Sequence, residues 1–266
     1  MKFGFVVPWG DADEIGDLAA AAEEAGWDGL FVWEPVWGVD AWISLGLAAV
    51  RTSRIRLGTM LTPPSRRRPW ELASQVATVD RLSNGRVTLS VGLGAVDTGF
   101  ESFGEECDRR VRAELMDECL AVTCGLWEGQ PFSFHGKHYQ VEPTEFPTLG
   151  HTTQKPRVPV WCVGAIGREK SMKRALNWDG IIPQVLEAGP DEMPVRQPTL
   201  DEVAALRAQI GNDDYDIIVE GAWIEHSPSA YKAAGATWWI ESMWGAMAEH
   251  SPVTAAYDRL MQGPPA

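Results

Sequence analysis

Three carboxylates, Glu34, Glu220 and Glu241, each stand at the end of a short apolar run. A carboxyl held partly away from water can have its pKa raised into the range where it gives or takes a proton. His226, six residues past Glu220, is the histidine best placed to carry a proton beside them. The bland alternative for each carboxylate is a hydrogen bond to neighbouring loop amides or an ion pair with an arginine. Glu34, Glu220, Glu241 and His226 could also ligate a divalent cation, although their spacing fits no compact metal motif. Gly164-Ala165-Ile166-Gly167 follows an apolar run and precedes a helical stretch near Arg168–Ser171. Small residues there let backbone N–H groups approach an anion, or simply make an ordinary turn. Tryptophans crowd the same run ends, Trp9, Trp33 and Trp244 among them, and aromatic walls beside glycine suit a flat heterocycle.

Something must bring these run ends together, and the pattern of elements supplies it. Apolar runs read as strands at Phe3–Pro8, Leu30–Trp33, Ile55–Leu61, Val87–Val91, Val158–Val163, Asp179–Pro183, Asp216–Val219 and Trp238–Glu241. Helices alternate with them: Asp11–Gly26, Ala41–Val50, Trp70–Leu82, Arg109–Glu128, Lys170–Asn177, a segment capped by Thr199 and closed by Gly211, Pro228–Ala234 and Pro252–Met261. Eight βα units predict an α/β chain closed as a (β/α)8 TIM barrel, a single domain over 1–266. Residues 129–157 break the alternation. They read as an insertion between strands four and five, with a hairpin of Pro131–Phe134 and His138–Val141. Residues 186–198 carry three prolines and read as loop. In a barrel, all the run ends above share the C-terminal face, where active sites form.

The stretch IRLGTMLTPPSRRRPWELASQ with VDRLSNGRVTLSVGLG, then FESFG, GLWEGQPFSFHGKHYQ, VPVWCVGA, NWDGIIP and AGATWWIESMW, resembles the luciferase-like flavin and deazaflavin oxidoreductases. The resemblance covers nearly the whole chain. It implies a barrel that binds FMN or the deazaflavin coenzyme F420 and acts by hydride transfer or oxygen activation on a small organic substrate, usually as a homodimer. It implies a phosphate site at Gly164, Ala165, Ile166, Gly167, Gly180 and Ile181. The cofactor ring would lie against a bulge or cis peptide at Met60-Leu61, with Trp33 and Gly94 also among the cofactor-binding residues. This sequence departs from the family twice: Glu34-Pro35 replaces a common Asp-His pair, and Leu93 stands where some relatives have arginine. The missing imidazole keeps open a non-catalytic, flavin-binding relative; a metal-dependent barrel hydrolase or isomerase is the other alternative.

Composition narrows the partners. Net charge is −14, which repels nucleic-acid backbones. No apolar run is long enough to span a membrane, and MKFGFVVPWGD is too short and too soon interrupted for a signal peptide. The four cysteines form no C-x-x-C pair and read as reduced thiols in a cytoplasmic protein. Arg66-Arg67-Arg68 is the strongest basic run in this acidic chain. It could draw an anion to the mouth, be solvated, or pair locally with Glu71.

Overall fold

A computed structural model describes residues 1–266 except 8, 146–150, 187–194, 223–226, 245–251 and 266. The strands in chain order are β1 (Lys2–Val7), β2 (Gly29–Val32), β3 (Arg56–Thr59), β4 (Val87–Val91), β5 (Phe132–His135), β6 (Gln140–Thr144), β7 (Val160–Ala165), β8 (Gly180–Leu186), β9 (Val195–Arg196), β10 (Asp216–Gly221) and β11 (Trp238–Ser242). The helices are α1 (Ala12–Glu24), α2 (Ala41–Arg51), α3 (Pro69–Leu82), α4 (Arg109–Glu128), α5 (Glu169–Ala175), α6 (Leu200–Ile210), α7 (Pro228–Ala233) and α8 (Pro252–Met261). Eight strands run in the order β10-β11-β1-β2-β3-β4-β7-β8, and β8 pairs back onto β10 to close the barrel. Every barrel pairing is parallel. This is the (β/α)8 barrel that the alternation predicts.

Strand parity decides what fills the barrel. Val6, Phe31, Met60, Trp161, Ile182, Ile218, Trp238 and Ile240 form the interior cluster. Phe31, Trp161 and Trp238 are too large to share one level unless neighbouring strands give way. They do so at glycines. A Cβ on Gly29 would lie 2.9 Å from the Phe31 ring and 3.1 Å from Trp238, and one on Gly58 would lie 3.0 Å from Phe31. A Cβ on Gly180 would meet Trp161 at 2.6 Å. The alternate residues, including Leu30, Leu57, Leu89, Cys162 and Ile217, face outward into a second core beneath the helices.

Helix ends are set by local chemistry. Asp40 accepts from the Ile43 amide at 2.9 Å, and Asp108 from Arg110 and Val111 at 2.8 and 2.9 Å. Thr199 and Glu202 form a capping box on α6, and Arg196 of β9 adds two bonds to Glu202 at 2.8 and 2.9 Å. β9 itself corrects the reading of 186–198 as loop: Val195 and Arg196 pair antiparallel with Leu186 and Val185. Two residues are too few to leave a periodicity. Residues 187–194 of that stretch lie outside the described residues.

The Arg196 bonds, followed by those from Thr199, hold the Glu202 carboxyl down at about 2. A carboxyl lowered on folding stabilises the fold above its unfolded value and loses that contribution as pH falls. The start of α6 is therefore expected to loosen between about pH 4.3 and about pH 2. A carboxyl NMR titration checks this: a Glu202 midpoint near 2 is expected, and a midpoint at the ordinary glutamate value contradicts it.

β5 and β6 pair antiparallel between α4 and β7. Glu118 of α4 anchors their turn by accepting from the amides of Lys137, His138 and Tyr139 at 2.7, 2.9 and 3.0 Å. The Tyr139 hydroxyl then donates to the Arg67 carbonyl at 3.3 Å, tying this hairpin to the loop after β3.

Candidate active site

The inward parity of each strand, continued past the filled interior, fixes which side chains reach the C-terminal mouth. On β3 it is Met60, and the Met60–Leu61 peptide bond is cis, as expected at that position. On β4 it is Gly92, where a Cβ would meet Leu61 at 2.8 Å and Val163 at 3.0 Å. Gly94 follows at φ +77, pressed so close that a Cβ would lie 2.7 Å from Phe100 and 3.0 Å from Pro63. β7 contributes Val163 and Ala165, β8 contributes Gln184, and β10 and β11 contribute Glu220 and Ser242. Beneath Gly92 on the same face, the Ser90 hydroxyl is buried with no hydrogen-bond partner among the described residues.

Three indoles form one lip. Trp9 and Trp33 meet edge to face at 5.6 Å, and Trp33 and Trp244 at 6.4 Å. Trp244 Nε1 donates to Glu220 Oε1. Burial pushes the Glu220 carboxyl above its ordinary value, against the bonds from Trp244 and Ser242. The protonated form therefore persists at higher pH than for a solvated glutamate. Glu220 is thus a carboxyl with a raised pKa beside the indole lip.

Glu34 stands one residue past Trp33 and faces the other way. Its Oε2 accepts from the Thr62 hydroxyl at 2.6 Å, and its Oε1 accepts from Arg67 at 2.8 Å, with Arg66 3.6 Å away. Thr62 lies 3.0 Å from Thr59, whose hydroxyl donates to the Ser90 carbonyl at 3.2 Å. Arg66 also donates to the carbonyls of Glu34 and Pro35 at 3.1 and 3.2 Å and lies over the Phe100 ring at 5.1 Å. Two of the three arginines thus turn inward to Glu34, rather than to solvent, Glu71 or a ligand. The network braces β2 against the segment carrying Met60 and Leu61.

Other expected positions fall elsewhere. Gly180 and Ile181 open β8 at the N-terminal end of the barrel, paired with Trp161 and Cys162. The residue level with Ala165 is Gln184, four residues on, or about 13 Å along a strand. Gly180 and Ile181 therefore cannot share a phosphate with the loop after β7; Ile181 packs on the outside against Gly164. In that loop three amides are already bonded. Ala165 N donates to Ser171 Oγ at 3.0 Å, Ile166 N to the Gln184 carbonyl at 2.8 Å and Arg168 N to the Ala165 carbonyl at 3.0 Å. Gly167, at φ +79 with open space around it, is the residue of the four best able to meet an anion. Glu241 faces outward and pairs with Arg259 at 3.3 Å. His226 lies outside the described residues. At Leu93, where some relatives have arginine, Arg112 arrives from α4 and donates to the Leu93 and Gly94 carbonyls at 2.6 and 3.2 Å.

Glu34, Glu220 and Glu241 therefore point in three directions, and among the described residues no three His, Cys, Asp or Glu side chains converge as metal ligands. Among the same residues no helix is long and apolar enough to cross a membrane. The support that local reading missed is Thr59, Thr62, Ser90 and Ser242. Counting every second residue from Trp238 would have turned Ser242 inward and Glu241 outward, and the same count from Phe31 would have turned Glu34 outward.

The family model for luciferase-like monooxygenases matches residues 1–261. An uncharacterized protein of Mycobacterium tuberculosis is 35% identical over 159 residues, 59% of this chain and 54% of that protein. An F420-dependent glucose-6-phosphate dehydrogenase of Nakamurella multipartita is 32% identical over 184 residues, 64% of this chain and 51% of that protein. This chain spans about half the length of the curated relatives it matches. The solved structure of the coenzyme F420-dependent tetrahydromethanopterin reductase from Methanopyrus kandleri superposes with a TM-score of 0.69 at 22% identity, covering 83% of this chain and 65% of that one. With the family model spanning all but the last few residues, the chain belongs to the luciferase-like monooxygenase family.

Proposed function

We propose that this chain is an oxidoreductase that holds F420 or FMN across the barrel mouth. The observation that carries the reading is the glycine floor over an orphaned hydroxyl. Gly92 and Gly94 pack tightly on Leu61, Val163, Phe100 and Pro63 and present backbone rather than side chain across from the indole lip, and the Ser90 hydroxyl of the same strand has no partner among the described residues. A flat heterocycle with polar ring atoms suits that surface. Met60, Leu61, Trp33 and Gly94 would flank the ring. Gly167, with Ala165 and Ile166 shaping its loop, would meet the cofactor phosphate; Gly164 supports the loop from outside. The Nakamurella relative is named for F420, which favours F420 between the two.

When bound, either cofactor supplies hydride chemistry, and FMN also supplies oxygen activation. The rest falls to this chain's residues. Glu220 holds or releases a proton at its carboxyl beside the substrate. Trp244 orients that carboxyl through its Nε1–H. Trp9, Trp33 and Trp244 exclude water from the mouth. Glu34 acts as a positioning residue: both its oxygens are engaged, so it fixes the Met60–Leu61 wall through Thr62, Arg66 and Arg67. This arrangement needs no imidazole at Pro35.

The protein is further proposed to act as a homodimer in the cytoplasm. The outer face of α2 supports the first part. Ile43 and Val50 are 68% and 62% exposed with half-buried Leu47 between them, and Trp37 just before the helix is 80% exposed. Light scattering on the purified chain is expected to give twice the chain mass, and Ile43→Glu with Val50→Glu to give a monomer; a wild-type monomer overturns the dimer. All four cysteines are free, as suits a reducing compartment. A disulfide in the native protein, read by intact mass, would contradict that location.

The cofactor reading is tested by gel filtration of the protein mixed with F420 or FMN. Co-elution of one of them is expected, and its loss in Gly92→Val. Failure of both to co-elute contradicts the reading.

A further inference from the structure

The mouth is electrically lopsided. The loops after β1 (8–11), β2 (33–40), β4 (92–108), β10 (222–227) and β11 (243–251) contain no lysine or arginine anywhere in their sequence. Basic residues stand in the loops after β3, β7 and β8, as Arg66–Arg68, Arg168 and Arg196, and at the start of α4, where Arg109 and Arg110 follow the β4 loop and Arg112 is held by the Leu93 and Gly94 carbonyls. Arg66 and Arg67 are held by Glu34, and Arg196 by Glu202. Arg68 is exposed at the start of α3, and Arg168 lies across the barrel on the β7 loop. The sector formed by β10, β11, β1 and β2 therefore offers three indoles, Ser242 and the Glu220 carboxyl, and no lysine or arginine to meet an anion.

We infer that the substrate half of this mouth takes a neutral alcohol or carbonyl compound with an apolar body, and rejects phosphorylated substrates. The inference rests on the cofactor reading above, in which the ring lies against Met60, Leu61 and Gly94 and meets the indole lip at Trp33. A phosphate brought into this sector would lose water and gain no lysine or arginine, a desolvation cost that nothing there offsets. It would also sit beside Glu220. A hydroxyl or carbonyl instead finds Glu220 and Ser242 as hydrogen-bond partners, while its carbon skeleton packs on Trp9, Trp33 and Trp244. The relative named as a glucose-6-phosphate dehydrogenase acts on an anion. On this reasoning its substrate does not transfer to this chain.

The test is calorimetric titration of the cofactor-mixed protein with 1-phenylethanol and with 1-phenylethyl phosphate. It is run near pH 8, where an ordinary histidine is neutral. The alcohol is expected to bind at least about tenfold more tightly than its phosphate ester, and Glu220→Ala to weaken the alcohol by about tenfold. Three results would overturn the inference: equal or tighter binding of the phosphate, no alcohol binding up to about 10 mM, or alcohol affinity unchanged in Glu220→Ala. Gel filtration of the same mixtures reports cofactor retention separately. Cofactor retained with the phosphate preferred sinks the substrate inference alone; alcohol bound without cofactor retention sinks the cofactor reading alone.

Discussion

Replacing Glu34 by alanine is expected to destabilise the fold by about 3–5 kcal/mol, the cost of leaving buried partner charges unpaired. The residue is 5% exposed, and its side chain accepts from Thr62 and Arg67 while Arg66 lies 3.6 Å away. The Arg66 and Arg67 side chains are themselves only 7% and 18% exposed. Burial already draws the Arg66 guanidinium below its ordinary value, and the charge of Glu34 opposes that shift. Removing the carboxylate leaves two guanidinium groups competing for the carbonyls of Glu34 and Pro35 and the face of Phe100. Thr62 also loses the acceptor that ties it to β2. The measurement is urea unfolding of wild type and Glu34→Ala. A loss below about 1 kcal/mol, the range of an exposed pair, would show that the pair does not brace the mouth.

The second large effect is in the barrel interior. Phe31→Ala is expected to cost about 3–5 kcal/mol, because the ring is fully buried against Trp161 and Trp238 and the surrounding strands cannot collapse onto the space. Gly29→Ala alone should cost about 1–3 kcal/mol by overpacking, since its Cβ would lie 2.9 Å from Phe31 and 3.1 Å from Trp238. Combined, the two should not add. With the Phe31 ring gone, the new methyl enters the cavity, and the double variant should be no less stable than Phe31→Ala. That is a coupling of about 1–3 kcal/mol, read from unfolding of all four proteins. Simple additivity would mean that the glycine does not make room for the ring.

Both predictions concern contacts of different legibility. The barrel could be read from the sequence because its information is local. Val87–Val91 is a short β-type run, Thr199 is a good cap, and the strands and helices alternate eight times. The Met60–Leu61 position was legible through family resemblance. The Glu34 pair was not legible, because Arg66 and Arg67 are more than thirty residues away in sequence and nothing local distinguishes a buried pair from a solvated arginine run. Glu220 and Glu241 looked equivalent for a different reason. Each ends a strand, and only register against interior Ile218 and Ile240 shows that Glu220 faces in and Glu241 faces out. The error at Gly180 and Ile181 has the same root. β8 runs to Leu186, beyond the proline that seemed to close it, so its mouth end is Gln184 rather than its glycine.

The measurement that tests the central claim most directly is cofactor retention. Wild-type protein mixed with F420 or FMN and passed through gel filtration should carry one of them, with its visible band shifted by the indole lip. Gly92→Val should lose it while keeping the far-ultraviolet dichroism of the wild type, because its added side chain meets Leu61 and Val163 at the floor of the mouth. Should that variant fail to fold, Trp33→Ala at the lip serves the same purpose. Wild-type protein that carries neither cofactor, or folded variants that retain it undiminished, would contradict a flavin-type site between the glycine floor and the tryptophan lip.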